Sequence, residues 1–358
     1  MSLHFYPLSV QEVRRETPDC VSVLFDVPEP LRESFRFLAG QSLTVRTRIN
    51  GEEIRRNYSI CSAPYEHELR IAIKKVEGGL FSTWANTSLR AGDQLEVMPP
   101  VGKFSAPLRN THKKNYLAFA AGSGITPVIS LVKSILASEP QSSITLVYGN
   151  RNRSSIIFFE ELEAIKNSYI ERFSLVHILS RERTDTDLNF GRIDTKKLAE
   201  LSSLLNPAEA DECFICGPQE MIFTVRDFLT AAGIPGPHIH FELFHTGKQA
   251  RKDTPETDPT ESAAISHITI RADGRSADIR LPLNSPATIL DAALQQGADL
   301  PYACKGGMCC TCKARLLEGE VQMDVHWGLE EEEIAKGFIL TCQSHPKTER
   351  VVVDFDAR

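Results

Sequence analysis

Short runs of apolar residues, partly alternating with polar ones, fill the first hundred positions. SLTVRTRI (42–49), NYSIC (57–61) and LRIAIKKV (69–76) are rich in β-branched residues and are punctuated by Gly and Pro. Strands this short, at this spacing, predict a small antiparallel β-barrel. From about Lys114 the period changes. NYLAFAA (115–121) is a continuous apolar strand, and Ile125, Val128, Ile129, Val132, Ile135 and Leu136 then recur at helical spacing. SITLVY (143–148), IIFFEELEAI (156–165), FSLVHIL (173–179), CFIC (213–216) and HIHFE (238–242) continue a pattern of strands and helices, with a helix beginning near Pro218. That alternation predicts a parallel α/β sheet. Residues 246–263, TGKQARKDTPETDPTESA, hold no large apolar side chain and read as a linker. Beyond it, Asp273-Gly274 between two strand-like runs predicts a hairpin, and TILDAALQQG (288–297) a short helix. The expected division is 1–110, 111–245, a linker at 246–263, and 264–358.

Composition narrows the picture. Apolar residues at 42% and charged ones at 24% are ordinary for a globular chain. A net charge of −7 argues against a protein that coats nucleic acid. No apolar run approaches the roughly 18 residues of a membrane span, and residues 1–10 lack the pattern of a secretory signal. Nine cysteines, an odd number, argue against a secreted disulfide framework, so the expected compartment is the cytoplasm.

Five of those cysteines lie in the last fifth of the chain. Cys304, Cys309 and Cys312 have the spacing C-x4-C-x2-C, and Cys342 follows. That is the plant-type pattern for a [2Fe–2S] cluster, which takes four thiolates from a loop able to wrap it. Gly306 and Gly307 supply the freedom for positive φ and the close approach of amides to sulfur. Cys310, between two ligand positions, should point away. A structural zinc site also uses four cysteines, but usually as paired C-x2-C units.

The turn Gly122-Ser-Gly124-Ile-Thr126-Pro127 joins a strand to a helix, where backbone amides can meet a pyrophosphate. Alone it is a weak signal. Arg56-Asn57-Tyr58-Ser59, Gly78-Gly79-Leu80-Phe81-Ser82, Cys216-Gly217-Pro218 and Glu242-Leu243-Phe244 occur with it in a fixed order. In that order they resemble the ferredoxin–NADP reductase superfamily across residues 1–245. The ferredoxin-like segment completes a chain similar to the reductase components of bacterial multicomponent oxygenases. The runs RRNYSI, AAGSGITP, YGNR, CGP and DLPYACKGG and the ending VVVDFDA carry that likeness along nearly the whole chain.

The resemblance implies three domains: an antiparallel FAD barrel, a Rossmann-like nucleotide domain and an α+β β-grasp ferredoxin. It implies that Arg56 pairs with the FAD pyrophosphate, Tyr58 stacks on the isoalloxazine and Ser59 lies near its N5. The backbone around Lys74 and Val76, with Gly79 and Ser82, would hold the ribityl and phosphate end. Gly122, Gly124, Thr126, Gly217 and Pro218 would line the nicotinamide nucleotide, with Cys216 beside the nicotinamide as a positioning thiol. Glu242 and Phe244 would close the flavin edge. Ser180-Arg181, with Arg151, would contact a 2′-phosphate, which implies NADPH over NADH. Cys213-x-x-Cys216 also has a thioredoxin-like redox spacing, but the pair lies in an apolar strand without the helix N-terminus that lowers a thiol pKa. The implied acceptor is a diiron oxygenase of the phenylacetyl-CoA epoxidase type; a different oxygenase, or a redox sensor without turnover, are the alternatives. Plant-type clusters sit near about −400 mV, low enough for such an acceptor. The acidic run Glu330 to Glu333 reads either as a docking face or as a helix start that complements the dipole.

Overall fold

The computed structural model describes residues 4–244 and 264–357, so the expected linker at 246–263 lies outside the described residues. Two compact units are distinguished; the larger holds nearly all of the first two sheets and the smaller holds the third.

The first sheet is built from β1 (Tyr6–Thr17), β2 (Cys20–Asp26), β3 (Ser42–Ile49), β4 (Glu52–Ser59), β5 (Leu69–Lys74) and β6 (Gln94–Val97). Their order is β4-β3-β6-β1-β2-β5. An antiparallel bridge between Ile60 and Ile71 joins the two edges, which closes the predicted barrel. Leu8, Val23, Leu43, Val45, Ile71 and Val97 fill its interior. The helix α1 (Leu80–Thr87) follows β5, where the sequence suggests only a glycine turn.

The second sheet has the order β11-β10-β7-β8-β9: β7 (Asn115–Ala121), β8 (Ser143–Asn150), β9 (Phe173–Leu179), β10 (Glu212–Gly217) and β11 (Ile239–Leu243). All its pairings are parallel. Strands buried on both faces need continuous apolar runs, and β7 and β10 supply them. The intervening helices are α2 (Ile125–Ser138), α3 (Phe159–Ser168), α4 (Thr195–Leu205) and α5 (Gln219–Ala231). The helix expected at 156–165 begins three residues later. Phe158, at φ 62°, turns the chain into it.

The third sheet has the order β13-β12-β18-β14-β16: β12 (Ile265–Ala272), β13 (Arg275–Pro282), β14 (Lys313–Glu318), β16 (Phe338–Leu340) and β18 (Arg350–Asp354). β15 (Val321–Met323) pairs separately with β17 (Ser344–Pro346). Asp273 and Gly274, at φ 51° and 68°, form the predicted hairpin turn. The helix α6 (Ile289–Gln295) is capped by the Thr288 hydroxyl and packs its apolar face on this sheet. The helix α7 (Glu331–Ala335) is short. Among the described residues no helix is long and apolar enough to cross a membrane.

Candidate active site and cluster loop

Three strand ends of the larger unit bring the expected flavin and nucleotide residues together. Ser59 ends β4 and is buried; its hydroxyl donates to Glu242 Oε2, on β11, at 3.1 Å. In the parallel register Cys216 faces Glu242 on one side and Ala120 on the other. The serine, the thiol and the carboxylate therefore come from sequence positions up to 183 apart and meet at one edge of the sheet. Phe244, just past β11, packs against the apolar cluster that contains Cys216. Burial, with the Glu242 charge behind it, pushes the Cys216 thiol well up; burial raises Cys213 to about 12. Both stay protonated near neutrality, which argues against a dithiol redox pair.

Tyr58 packs on Phe81, ring centroids 5.6 Å apart and tilted by 33°, and Phe81 on Trp84 at 5.7 Å. One face of the Tyr58 ring is thus fixed by the barrel. Gly78 takes φ 70°, and α1 starts one residue after Gly79. The Ser82 hydroxyl accepts from the Val76 amide at 3.1 Å and donates to the Gly79 carbonyl at 3.3 Å. A Cβ on Gly79 would stand 2.5 Å from that hydroxyl. Arg56 is exposed on β4, with its guanidinium on the Arg55 carbonyl at 2.7 Å.

The glycine turn forms a single 3-10 turn, Gly122–Gly124, that runs directly into α2. Gly122 has φ 54°. A Cβ on Gly124 would collide with the Cys216 carbonyl, so this glycine permits the turn to lie against β10. The Thr126 hydroxyl donates to the Ser123 carbonyl at 3.1 Å, and the Tyr148 hydroxyl to the Gly122 carbonyl at 2.9 Å. Gly217 closes β10 and Pro218 caps α5. Lys74 places its Nζ 3.2 Å from where a Cβ on Gly122 would stand. Burial, and then the Arg151 charge, lower its pKa, and no carboxylate pairs with it among the described residues. The sequence suggests only a backbone role for Lys74; its ammonium at the turn is an addition.

At the next strand ends, the Ser180 amide donates to the Asn150 carbonyl at 2.9 Å and its hydroxyl to the same oxygen at 3.3 Å. The Arg181 amide donates to the Arg151 carbonyl at 2.8 Å. Arg151 and Arg181 are exposed, and neither guanidinium has an acidic partner among the described residues. Arg183 is engaged, on Asp187 at 3.3 Å and over the Phe190 ring.

In the smaller unit, Cys304 is exposed, Cys309 half-buried, and Cys312 and Cys342 buried. The four thiols lie as two neighbouring pairs, Cys304 with Cys309 and Cys312 with Cys342. No three His, Cys, Asp or Glu side chains among the described residues converge as one ion would require. The C-x4-C-x2-C spacing with a distant fourth cysteine, in place of paired C-x2-C units, fits a two-iron cluster better than a single zinc. The amides of Gly306 and Cys309 point at Cys304 Sγ at 3.3 and 3.4 Å. With the Cys309 thiol first and these amides after it, they hold the Cys304 thiol below its usual pKa. The Thr311 hydroxyl is fully buried beside Cys309 and has no nitrogen or oxygen partner among the described residues. A buried donor aimed at sulfur fits a cluster whose sulfurs accept hydrogen bonds. Gly307 takes φ 73°, as expected, but Gly306 does not; Lys305, at φ 49°, makes the other left-handed turn. Cys310 also turns left-handed, at φ 56°, and its thiol donates to the Gly328 carbonyl at 2.8 Å. Glu333 caps the Glu330 amide at 3.1 Å and pairs with Lys313 at 3.2 Å, so this part of the acidic run serves the helix start.

Family models match the oxidoreductase FAD-binding domain over residues 7–106, the oxidoreductase NAD-binding domain over 119–227 and the 2Fe-2S iron-sulfur cluster binding domain over 271–347. The chain is 45% identical to a component of the 1,2-phenylacetyl-CoA epoxidase of Escherichia coli K12, over 99% of this chain and 98% of that one. It is 34% identical to the ferredoxin reductase component of the 3-ketosteroid-9-alpha-monooxygenase of Rhodococcus rhodochrous, over 97% and 96%. Among solved structures, phthalate dioxygenase reductase matches with a TM-score of 0.58 and 26% identity, covering 98% of each chain. FAD, a [2Fe–2S] cluster and a nicotinamide nucleotide are thus the chain's cofactors.

Proposed function

Because this chain belongs to the family of flavin and [2Fe–2S] reductase components of multicomponent oxygenases, we propose that its acceptor is a diiron oxygenase acting on phenylacetyl-CoA and its donor NADPH. The observation that carries the acceptor is 45% identity to an epoxidase component along almost the full length of both chains, against 34% for a steroid oxygenase reductase. The observation that carries the donor is the pair of guanidiniums without acidic partners, Arg151 and Arg181, flanking Ser180. A guanidinium matches phosphate oxygens bidentately, so the pair is built for one more phosphate than NADH carries.

When bound, FAD would supply a two-electron hydride acceptor able to release single electrons, and the [2Fe–2S] cluster a one-electron carrier. In this reading Tyr58 holds the isoalloxazine plane and Arg56 neutralises phosphate charge. The Gly78-Gly79 turn and the start of α1 present amides to the rest of the phosphate chain, with Val76 and Ser82 fixing that turn. Ser59 and Glu242 hold a polar hydrogen-bonded edge near the hydride acceptor atom. Cys216, kept neutral by burial, sets a snug apolar wall for the nicotinamide, against which Phe244 packs. Gly122, Gly124, Thr126, Gly217 and Pro218 shape the strand–helix crevice, and Lys74 adds a positive charge to it. Cys304, Cys309, Cys312 and Cys342 hold the irons.

The test couples the purified chain to the oxygenase components of a phenylacetyl-CoA epoxidase. Phenylacetyl-CoA-dependent NADPH consumption with epoxide formation is expected, with NADH at least about tenfold poorer in kcat/KM, which is about 1.4 kcal/mol. Ferricyanide reduction at full rate with no transfer to those components would sink the acceptor assignment. Equal use of NADH and NADPH would sink the donor assignment.

A further inference from the structure

Asn150, the last residue of β8, is 8% exposed. The oxygen of its carboxamide has no hydrogen-bond partner among the described residues, and the nitrogen has none but the neighbouring Tyr148 hydroxyl oxygen. The amide lies beside the Tyr148 hydroxyl, whose proton is already given to the Gly122 carbonyl. A buried polar atom left unpaired is destabilising, so its presence at a strand end calls for a use. The surroundings suggest which. Ala121 and Gly149 are register partners, so Asn150 stands one step past them, next to the glycine turn. On its other side its carbonyl holds Ser180, and Arg151 holds Arg181. Three adjacent parallel strands thus end in the turn, the amide and the Ser180-Arg181 pair, in that spatial order.

We infer that Asn150 binds the adenosine ribose of the nicotinamide nucleotide. This rests on the reading that the glycine turn takes the pyrophosphate and Ser180-Arg181 the 2′-phosphate. The group chemically between those two phosphates is the ribose, joined to one through its 5′ oxygen and to the other through its 2′ oxygen. A ribose offers hydroxyl donors and ether and hydroxyl acceptors, and a carboxamide offers both complements. The amide oxygen has no hydrogen bond to give up on turning toward a ligand. For that oxygen, binding energy is gained without an offsetting loss, which is the use an unpaired polar atom can serve.

The test uses the full-length holoenzyme with ferricyanide as acceptor and compares wild type with Asn150→Leu, of similar volume but without polar atoms. Inhibition constants are measured for 5′-AMP, 2′,5′-ADP and nicotinamide mononucleotide. The variant should weaken 5′-AMP and 2′,5′-ADP by the same factor, about 5- to 20-fold. It should leave nicotinamide mononucleotide unchanged and the thermal midpoint equal or higher, because an unsatisfied buried group has been removed. Arg181→Ala should weaken 2′,5′-ADP alone. A lower midpoint with unchanged 5′-AMP inhibition would make Asn150 a structural residue and overturn the inference. An equal loss for nicotinamide mononucleotide would overturn the ribose assignment. Failure of both adenosine fragments to inhibit wild type would overturn the underlying reading of the strand ends, and this inference with it.

Discussion

Ser59 and Glu242 are joined by one hydrogen bond across 183 positions, and that bond is the smallest unit of the proposed chemistry. Ser59→Ala should retain FAD but slow flavin reduction by about 10- to 100-fold, or about 1.4–2.8 kcal/mol of barrier. Stopped-flow absorbance with excess nucleotide reads this directly; an unchanged rate would remove Ser59 from the reacting edge. The cysteines divide just as sharply. Burial raises Cys20 to about 12 and Cys213 likewise, and Cys61 and Cys216 are pushed up as well, so all four should resist alkylation of the folded protein at about pH 8. Mass spectrometry after iodoacetamide checks this, and rapid labelling of Cys216 would contradict its assignment as a buried wall. In the cluster loop, Cys310→Ser should keep the cluster and Cys309→Ser should lose it, seen as iron content and visible absorbance. The four proposed ligands are legible in the sequence because their spacing is itself the signal. Thr311, the Lys74 ammonium and Asn150 are not, because a buried hydroxyl, an ammonium without a carboxylate and an amide with an unpartnered oxygen are defined only by what surrounds them.

At the level of elements, the glycine turn shows how one residue sets a crevice. Gly124 has ordinary backbone angles, so its requirement is steric: a Cβ would strike the Cys216 carbonyl. Gly124→Ala should push α2 from β10, lowering the thermal midpoint and weakening nucleotide binding together; a normal midpoint would show that the two elements can part freely. The opposite end of the same sheet is clamped. Glu212 on β10 accepts from His240 on β11 at 2.9 Å and from Lys114, before β7, at 2.8 Å. Burial alone would raise its pKa, but the His240 and Lys114 hydrogen bonds outweigh it and hold the carboxyl at about 2. A depressed folded pKa gives stability that is present above the unfolded value near 4.5 and lost as pH falls toward about 2. Urea unfolding should therefore show Glu212→Gln to be less stable than wild type near neutral pH, with the gap closing between about pH 4.5 and 2; a gap independent of pH would contradict this. Strands β3, β7 and β9 are legible residue for residue, because β-branched or continuous apolar runs admit no other element. α1 is not, since its short span follows two glycines and reads as a turn. The start of α3 is misplaced by the apolar pattern because Phe158 takes a left-handed conformation that its residue type does not announce.

Over the whole molecule, three sheets of different kinds follow one another along one chain, and each change of period in the sequence marks a change of sheet. Barrel, α/β domain and ferredoxin are legible for that reason. The closing bridge of the barrel and the meeting of β4, β10 and β11 are not, because they join residues far apart in sequence. In the proposed function, electrons from a nicotinamide nucleotide reach the iron–sulfur cluster of this chain through its flavin. Anaerobic titration of the cofactor-replete protein, with NADPH and separately with NADH, tests it most directly when visible absorbance and EPR are followed together. Flavin bleaching followed by a reduced [2Fe–2S] EPR signal is expected, reached with less NADPH than NADH. Absence of any change in either cofactor with both nucleotides would contradict it.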